Sequence, residues 1–544
     1  MDFFSYPFTG TYSGLTTFFS LEYLILFLPL CLLLYFFFPS KSKKYLLLFL
    51  SYLFFWLVSG KLVVYLFAST LFAFGFGRVL EKIKSKRDDT LKSTEKQQRK
   101  KVKQSFQRKS RIALGIAIML HIGLLLTLKY SAFFVINFND FLSLLGFQVQ
   151  LTVPNFLLPI GLSFFTLQIL SYLVDVYRNT IKADENFFRL ALFISFFPQI
   201  VEGPICRYSQ TAQQLWSVKQ IEFNNFSMGM QRFLYGMMKK IVIADRLNPL
   251  IDSVFESPSD YGGIMVVVAS VAYTIQLYMD FSGAMDAVVG ISQVFGVTMP
   301  ENFKRPFFSK SISEFWTRWH ITLGTWFKDY IFYPVSMSKK MKALTTNARK
   351  KIGIYYGPLV AGSIALSCVW LLNGLWHGSA WNYIFFGIYH WFLILLGNVF
   401  TPLSKRILSK FKINSDSNGY SLFKIFRTFI LVVIGELFFR AEGLQHGLNM
   451  FFSIFNDFRL PAVEKPFLDD FGLSFLELVV LAVSLIMVLF TSILNEKNIS
   501  IREKIKNKNI VIRWMAIYAM IVFIVIFGAY GDGYIQLDPI YANF

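Results

Sequence analysis

Apolar runs of bilayer-crossing length recur along nearly the whole chain, near 21–38, 45–58, 61–79, 112–134, 152–174, 186–205, 230–252, 262–280, 354–372, 380–400, 422–439, 473–494 and 511–530. A spanning helix needs about 20 mostly apolar residues, so these runs predict an all-α multi-pass membrane protein with about eleven to thirteen membrane segments. Composition agrees: 55% of residues are hydrophobic and 16% charged, against about 25% charged in soluble domains. A single soluble core of 544 residues is excluded on these grounds.

The net charge of +21 raises the question of nucleic acid, and its placement answers it. Residues 81–111 hold thirteen Lys/Arg against four Asp/Glu, and further basic clusters (Lys41, Lys43 and Lys44; 339–351; 405–412; 497–508) flank apolar runs. Basic residues concentrated beside spans mark cytoplasmic loops, where they also attract anionic lipid. No nucleic-acid recognition motif accompanies them, so membrane lipid is the expected partner and nucleic acid is not. With both 41–44 and 81–111 inside, the stretch between them goes out and returns, turning at Ser59-Gly60-Lys61, and the N-terminus lies outside. The 81–111 loop is expected to be disordered or loosely helical. Asp2 and the lack of an early basic residue argue for a retained first span rather than a cleaved signal. Cys31, Cys206 and Cys368 lie in or beside apolar segments and read as small core residues.

Around 280–350 polar, charged and aromatic residues are mixed too finely for a lipid-facing span: Trp316, Arg318, Trp319, His320, Trp326, Lys328, Asp329 and Tyr330 fall within fifteen residues. Polar backbone at membrane depth persists only where protein or a water-filled cavity covers it, so a re-entrant or interfacial element is expected here. There is no internal repeat of the kind that marks many transporters. The expected division is N-terminal hairpins over 1–80, the basic loop over 81–111, a catalytic core over 112–450 and C-terminal helices over 451–544.

Only five histidines are present, and two sit in Trp-His pairs: Trp319-His320 and Trp376-His377. An ionisable side chain inside a membrane is a functional candidate. His377 lies in Asn373-Gly374-Leu375-Trp376-His377-Gly378, where Gly374 and Gly378 share a helical face that another backbone or a ligand can approach. On a continuous helix Asn373 would lie one turn before the ring, placed to orient it, and Trp381 one turn after, placed to wall it. His320 has Glu314 and Arg318 before it and Asp329 and Tyr330 after it, and Pro300-Glu301-Asn302-Phe303 contributes a nearby amide. Two such histidines make a proton-transfer pair, or a base and a substrate positioner. His390 stands thirteen residues beyond His377, about 20 Å and roughly 220° away on a straight helix; it reads as structural, as do His121 and His446. No carboxylate stands beside a histidine at metal-ligand spacing, and no P-loop, Rossmann fingerprint or Gly-x-Ser-x-Gly elbow is present. A histidine base acting on a bound acyl donor is the simplest chemistry these residues allow.

From about 20 to 450 the chain resembles the membrane-bound O-acyltransferases (MBOAT), in the bacterial alginate O-acetylation (AlgI-like) branch. The resemblance is carried by Leu158-Pro159-Ile160-Gly161-Leu162-Ser163-Phe164, by Ser171-Tyr172-Leu173-Val174-Asp175-Val176-Tyr177-Arg178, and by Phe197-Pro198-Gln199-Ile200 leading to Gly203-Pro204-Ile205. Further pieces are Met279-Asp280-Phe281-Ser282-Gly283, Pro300-Glu301-Asn302-Phe303, the 315–330 stretch, Trp376-His377-Gly378 and Phe438-Phe439-Arg440-Ala441. The resemblance implies a ring of tilted and re-entrant helices around a central tunnel. It also implies His377 at the essential catalytic position and His320 as the second characteristic histidine, with Asn302, Arg318, Trp319, Asp329, Tyr330, Asn373 and Trp376 in support. It implies transfer of a small acyl group, acetyl from acetyl-CoA with no tightly bound cofactor or metal, to an extracellular or cell-wall polysaccharide, in a bacterial cell membrane. A separate extracytoplasmic SGNH-like acetyltransferase is the implied partner. Lys328, where Arg is usual, and Glu202, where a small residue is usual, depart from the family pattern. D-alanyl transfer to teichoic acid, by a sister branch, is the alternative within the family. A polysaccharide or acyl transporter and a synthase-complex scaffold are the alternatives outside it.

Overall fold

The computed structural model describes residues 18–217, 220–459, 471 and 473–530. Among these the secondary structure is helical throughout, with no strand, as the hydropathy pattern requires of a chain in lipid. The tail 531–544, whose Asp532 and Asp538 without any Lys or Arg predict an extracytoplasmic end, lies outside the described residues. Among the described residues seven stretches are long and apolar enough to cross a membrane: Lys43–Ser93, Arg99–Leu144, Gly263–Val294, Lys339–His377, Trp381–Lys410, Phe475–Glu496 and Ile510–Phe527. Leu144, Ile354 and Phe475 stand among many large apolar side chains left more than four-fifths or half exposed, the surface that lipid covers.

Several of the expected runs form shorter or broken helices. The 152–174 run becomes helical only at Leu162; 186–205 breaks after Ser195; 230–252 is interrupted by a π-helical turn, Met238–Ala244. Apolar composition measures burial and not helix length, so a run interrupted inside protein counts as a span in the sequence. The 81–111 segment is more ordered than its composition implies. One helix continues through it to Ser93 and the next begins at Arg99.

The described residues divide into two compact units, one holding those up to 230 with 288–300, the other 231–287 and those from 301 to 530. In the first unit, helix α1 (Lys43–Ser59) ends at Gly60, at the expected turn, and α2 (Val63–Ser93) and α3 (Arg99–Leu125) follow. Helix α4 (Leu162–Arg178) starts from Gly161, whose φ of 67° is left-handed and where a Cβ would collide with Ile200 O. That close approach explains why the Pro-Ile-Gly and Phe-Pro-Gln-Ile motifs belong together. Asp184, fully buried, receives Arg189 in two hydrogen bonds of 2.8 and 2.5 Å and the Tyr208 hydroxyl, while its backbone N–H donates to Tyr172 Oη at 2.9 Å. His121 lies between the carbonyls of Ala117 and Ser69, which suits a structural role.

The second unit carries both Trp-His pairs. Helix α5 (Gly263–Val294) is the most buried of the seven, and its residues up to 287 belong here. There follow short helices α6 (Ile312–Arg318) and α7 (Ile321–Phe327), then α8 (Lys339–His377), interrupted at Gly353 with φ of 87°, α9 (Trp381–Lys410) and α10 (Asn418–Arg440). Helices α11 (Phe475–Glu496) and α12 (Ile510–Phe527) close the described chain.

Candidate active site

Between α5 and α8 the helices are short: α6 has seven residues, and α7 continues through a π-helical turn (Lys328–Phe332) to Ser336. Two stretches of this segment lie side by side: Lys304 N donates to Arg318 O and Ile321 N to Asn302 O, each at 2.9 Å. Ser311 caps α6 by accepting from Glu314 N, and Glu314 in turn accepts from Lys310 N, a reciprocal arrangement that starts the helix sharply. The helix stops at Arg318, Trp319 is extended, and His320 takes a left-handed conformation with φ of 43°. A non-glycine residue holds such angles only where its surroundings determine them.

The main determinant is Asn302, which is 1% exposed. Its Oδ1 accepts from Thr322 N at 3.1 Å and from Thr322 Oγ1 at 2.9 Å, and lies 3.1 Å from His320 Nδ1. A backbone N–H can only donate, so the Asn302 atom is oxygen and His320 Nδ1 carries the proton. Nε2 is therefore the nitrogen with the lone pair. Burial, which disfavours the charged ring, pushes the His320 pKa down to about 3. Phe281 packs edge-on against this ring at 4.8 Å, which gives the Met-Asp-Phe-Ser-Gly motif its place.

His377 is the last residue of α8. Gly378 is extended, and a Cβ at either Gly374 or Gly378 would collide with Tyr383. The two glycines thus let α9 fold back tightly, though not from one helical face: the helix has ended by Gly378. Trp381 consequently opens α9 rather than continuing α8, and is 55% exposed. The His377 ring meets Phe439 at 5.0 Å and Phe386 at 6.0 Å. Phe439 is fixed by Asn382, whose amide donates to the carbonyls of Phe438, Phe439 and Ala441 at the end of α10.

The two histidines meet the same indole. Trp376 lies 5.6 Å from the His320 ring and 4.9 Å from the His377 ring, and both histidines are 3% exposed. Asn373 is buried one turn before His377, while Asn302 sets its amide against the His320 imidazole. Trp319 packs with Phe303 and Phe315 at 5.0 and 5.4 Å. Arg318 turns to Glu314 and Glu496. Asp329 and Tyr330 sit half-buried in a π-helical turn after α7, with Tyr330 on Trp326 at 5.1 Å.

The break at 378–380 also changes the path from His377 to His390. Distance along a straight helix placed it far from His377, but α9 returns along α8, and Phe386 touches both rings. His390 is fully buried, stacks on Trp370 at 5.4 Å and accepts from Trp316 Nε1 at 3.3 Å. Gly378-Ser379-Ala380 was the available signal for that turn. A cavity of about 710 Å³ has Asn302, Arg305, Asn495 and Arg502 in its walls, which brings open space within one side chain of His320. Among the described residues no group of three or more His, Cys, Asp or Glu is placed to hold a metal.

The pattern described as MBOAT, membrane-bound O-acyltransferase family, matches residues 12–348, which include His320 and stop short of His377. The chain is 32% identical over 437 residues to a probable alginate O-acetylase of Pseudomonas aeruginosa, covering 80% of this chain and 74% of that one. A peptidoglycan O-acetyltransferase of Helicobacter pylori is 30% identical over 369 residues, 62% of this chain and 64% of the relative. A teichoic acid D-alanyltransferase of Bacillus subtilis is 29% identical over 297 residues, 54% and 71%. With buried histidines at both Trp-His pairs and matches of this extent, the chain belongs to the membrane-bound O-acyltransferases and is a multi-pass membrane acyltransferase.

Proposed function

We propose that the enzyme transfers acetyl from acetyl-CoA for O-acetylation of an extracellular or cell-wall polysaccharide, with 112–450 as its catalytic core. The observation that carries this reading is the Trp376 indole flanked by His320 and His377, in a chain whose relatives include two kinds of polysaccharide O-acetylating enzyme. His377 acts as general base. It takes the proton of an acceptor hydroxyl, the oxygen attacks the thioester carbonyl, and the tetrahedral adduct collapses to ester and thiolate, which regains the proton. Such proton transfer contributes about 10²–10⁴-fold. His320, with its proton on Nδ1, offers Nε2 to position a reactant or pass the proton on. The aromatic walls from Phe281, Phe386 and Phe439 keep out water that would hydrolyse the thioester. The cavity beside Asn302, with Arg305 and Arg502 in its wall, suits the anionic part of the donor. An extracytoplasmic SGNH-like transferase completes delivery to the polymer.

The test is base-labile acetate on the envelope of a deletion strain complemented with native protein, His377→Ala or His320→Ala at matched membrane levels. Acetate is expected to return with the native protein alone. Full acetylation by His377→Ala would remove it from the mechanism. The D-alanyltransferase relative favours one second reading, D-alanyl transfer to teichoic acid; ester-linked D-alanine restored in place of acetate would select it.

A further inference from the structure

The C-terminal helices lie beyond the family match, and one of their residues reaches the segment that holds His320. Residues 302–305 and 318–321 form the backbone clip described above, with Asn302 and His320 at one end of it. Each strand of the clip contributes one arginine, and both run to Glu496, the last residue of α11. Arg305 Nε donates to Glu496 Oε2 at 2.5 Å and its Nη1 to Asn495 O at 2.8 Å. Arg318 Nη1 reaches both carboxylate oxygens, at 3.1 and 3.2 Å, while its Nη2 pairs with Glu314 at 2.8 Å. Arg305, like His320, is a left-handed non-glycine residue, with φ of 49°. The clip therefore bends through two conformations that side chains disfavour, and a single carboxylate ties its two strands at Arg305 itself and at Arg318, two residues before His320. The Asn495 carbonyl at the helix end adds the negative pole of the helix dipole to the same arginine.

An exposed ion pair contributes little, but this carboxylate is only one-third exposed and engages two guanidinium groups in charge-assisted bonds. We propose that Glu496 is a positioning residue for His320: it clamps Arg305 to Arg318 and so fixes the spacing of the strands that bring Asn302 onto the imidazole. This gives the C-terminal pair of helices a part in the active site, and it rests on the reading of His320 as an active-site residue.

The rival is simple anchorage of α11, and the structure supplies its control. At the other end of α11, Glu477 pairs with Arg246, whose Nη2 also donates to Phe527 O. Glu477→Gln removes an anchor of the same helix without touching the clip. The experiment compares envelope acetate ester for Glu496→Gln, Glu477→Gln, Asn302→Ala and the Asn302→Ala/Glu496→Gln double variant at matched membrane levels, with thermal midpoints of the detergent-solubilised proteins. A misplacement of about 1 Å near the chemistry can cost about 10²-fold, so Glu496→Gln is expected to lose about tenfold or more in acetylation rate while Glu477→Gln loses less than about twofold. The double variant is expected to fall by clearly less than the product of the single losses, since both act through one clip. Equal losses for the two glutamate variants, independent losses in the double variant, or a fully active Glu496→Gln each overturn the proposal. If Glu496→Gln fails to accumulate, Arg318→Lys carries the same test, keeping charge while losing the fork. His320→Ala separates the two readings: full activity there refutes the active-site assignment itself, whereas a dead His320→Ala beside a silent Glu496→Gln refutes only the clamp.

Discussion

Replacing Gly374 by alanine tests whether close helix approach places His377. A Cβ at this position would lie 3.2 Å from the Tyr383 carbonyl carbon, 3.3 Å from Ile384 Cα, and closer still to Tyr383 O. These are backbone atoms of α9, so no rotamer change relieves the contact, and comfortable separation of about 3.5–4.0 Å requires α8 and α9 to move apart by several tenths of an ångström to about 1 Å. Overpacking of this kind costs about 1–3 kcal/mol. His377 is three residues further along α8, in the last turn of the helix, so it moves with the displaced backbone, away from Phe439 and Phe386. A shift of that size predicts about a 10²-fold loss of acyl transfer. Gly362 on the same helix is the control, because nothing lies within 4 Å of its added Cβ. Gly362→Ala should be neutral or stabilising by up to about 1 kcal/mol. Base-labile acetate and the thermal midpoint of the solubilised protein are measured for both. Gly374→Ala as active as Gly362→Ala, at equal protein level, would refute the argument that this contact positions the catalytic ring.

Asn302→Ala removes the oxygen that accepts from Thr322 and His320; leaving those buried donors unmet should cost about 1–3 kcal/mol and lower acetylation, as seen in midpoint and ester assays, while Thr322→Val should be milder. Asp184→Asn breaks a buried ion pair in the other unit; with Arg189 about a quarter exposed, a loss of about 2–3 kcal/mol is expected, visible as a lower midpoint with specific activity retained. For pH, the unfolded His320 takes up a proton near 6.5 whereas the folded ring resists until about 3. The unfolded state then binds more protons in that window, so stability falls as pH drops from 6.5 toward 3, by at most about 1.4 kcal/mol per unit for one group. His320→Gln should show a shallower decline in midpoint across that window than native protein; identical slopes would contradict the neutral buried ring.

The all-α membrane class was written in the apolar runs, and the two Trp-His pairs were conspicuous because histidine is so scarce in this chain. What the sequence concealed follows from the places where helix periodicity stops. Extrapolating a helix through Gly378 placed His390 far from His377; the turn at 378–380 starts a new helix at Trp381 and brings Phe386 against both rings. The partner of His320 is eighteen residues away in sequence and reached through extended backbone, for which no periodic pattern exists. Glu496 lies 178 residues beyond Arg318, and its local context is an ordinary helix end beside basic residues. Apolar run length likewise says nothing of continuity: 186–205 is as apolar as a span, yet its helix breaks after Ser195.

Both catalytic candidates stand where regular structure ends: His377 closes α8, and His320 caps α7 from a left-handed conformation. A residue inside a membrane helix has its backbone groups consumed by its neighbours, and its side chain faces lipid or a packed helix. At a helix end the backbone must find other partners, and the side chain can point along the helix rather than away from it. For His320 that partner is Asn302, which accepts from the backbone of Thr322; for His377 the nearby Asn382 acts indirectly, capping the end of α10 that carries Phe439. Buried amides suit that task because each satisfies backbone groups without adding a charge that lipid surroundings would penalise. It follows that conservative changes at the two amides should cost more activity than removal of a charged residue such as Asp329 at the half-buried π-helical turn. Asn382→Asp puts a negative charge against three carbonyl oxygens and should abolish acetylation, with protein lost from the membrane, while Asn382→Gln, too long by one methylene, should retain protein and lose rate. Equal rates for Asn382→Gln and native protein would show that the end of α10 does not need this cap to hold Phe439 against His377.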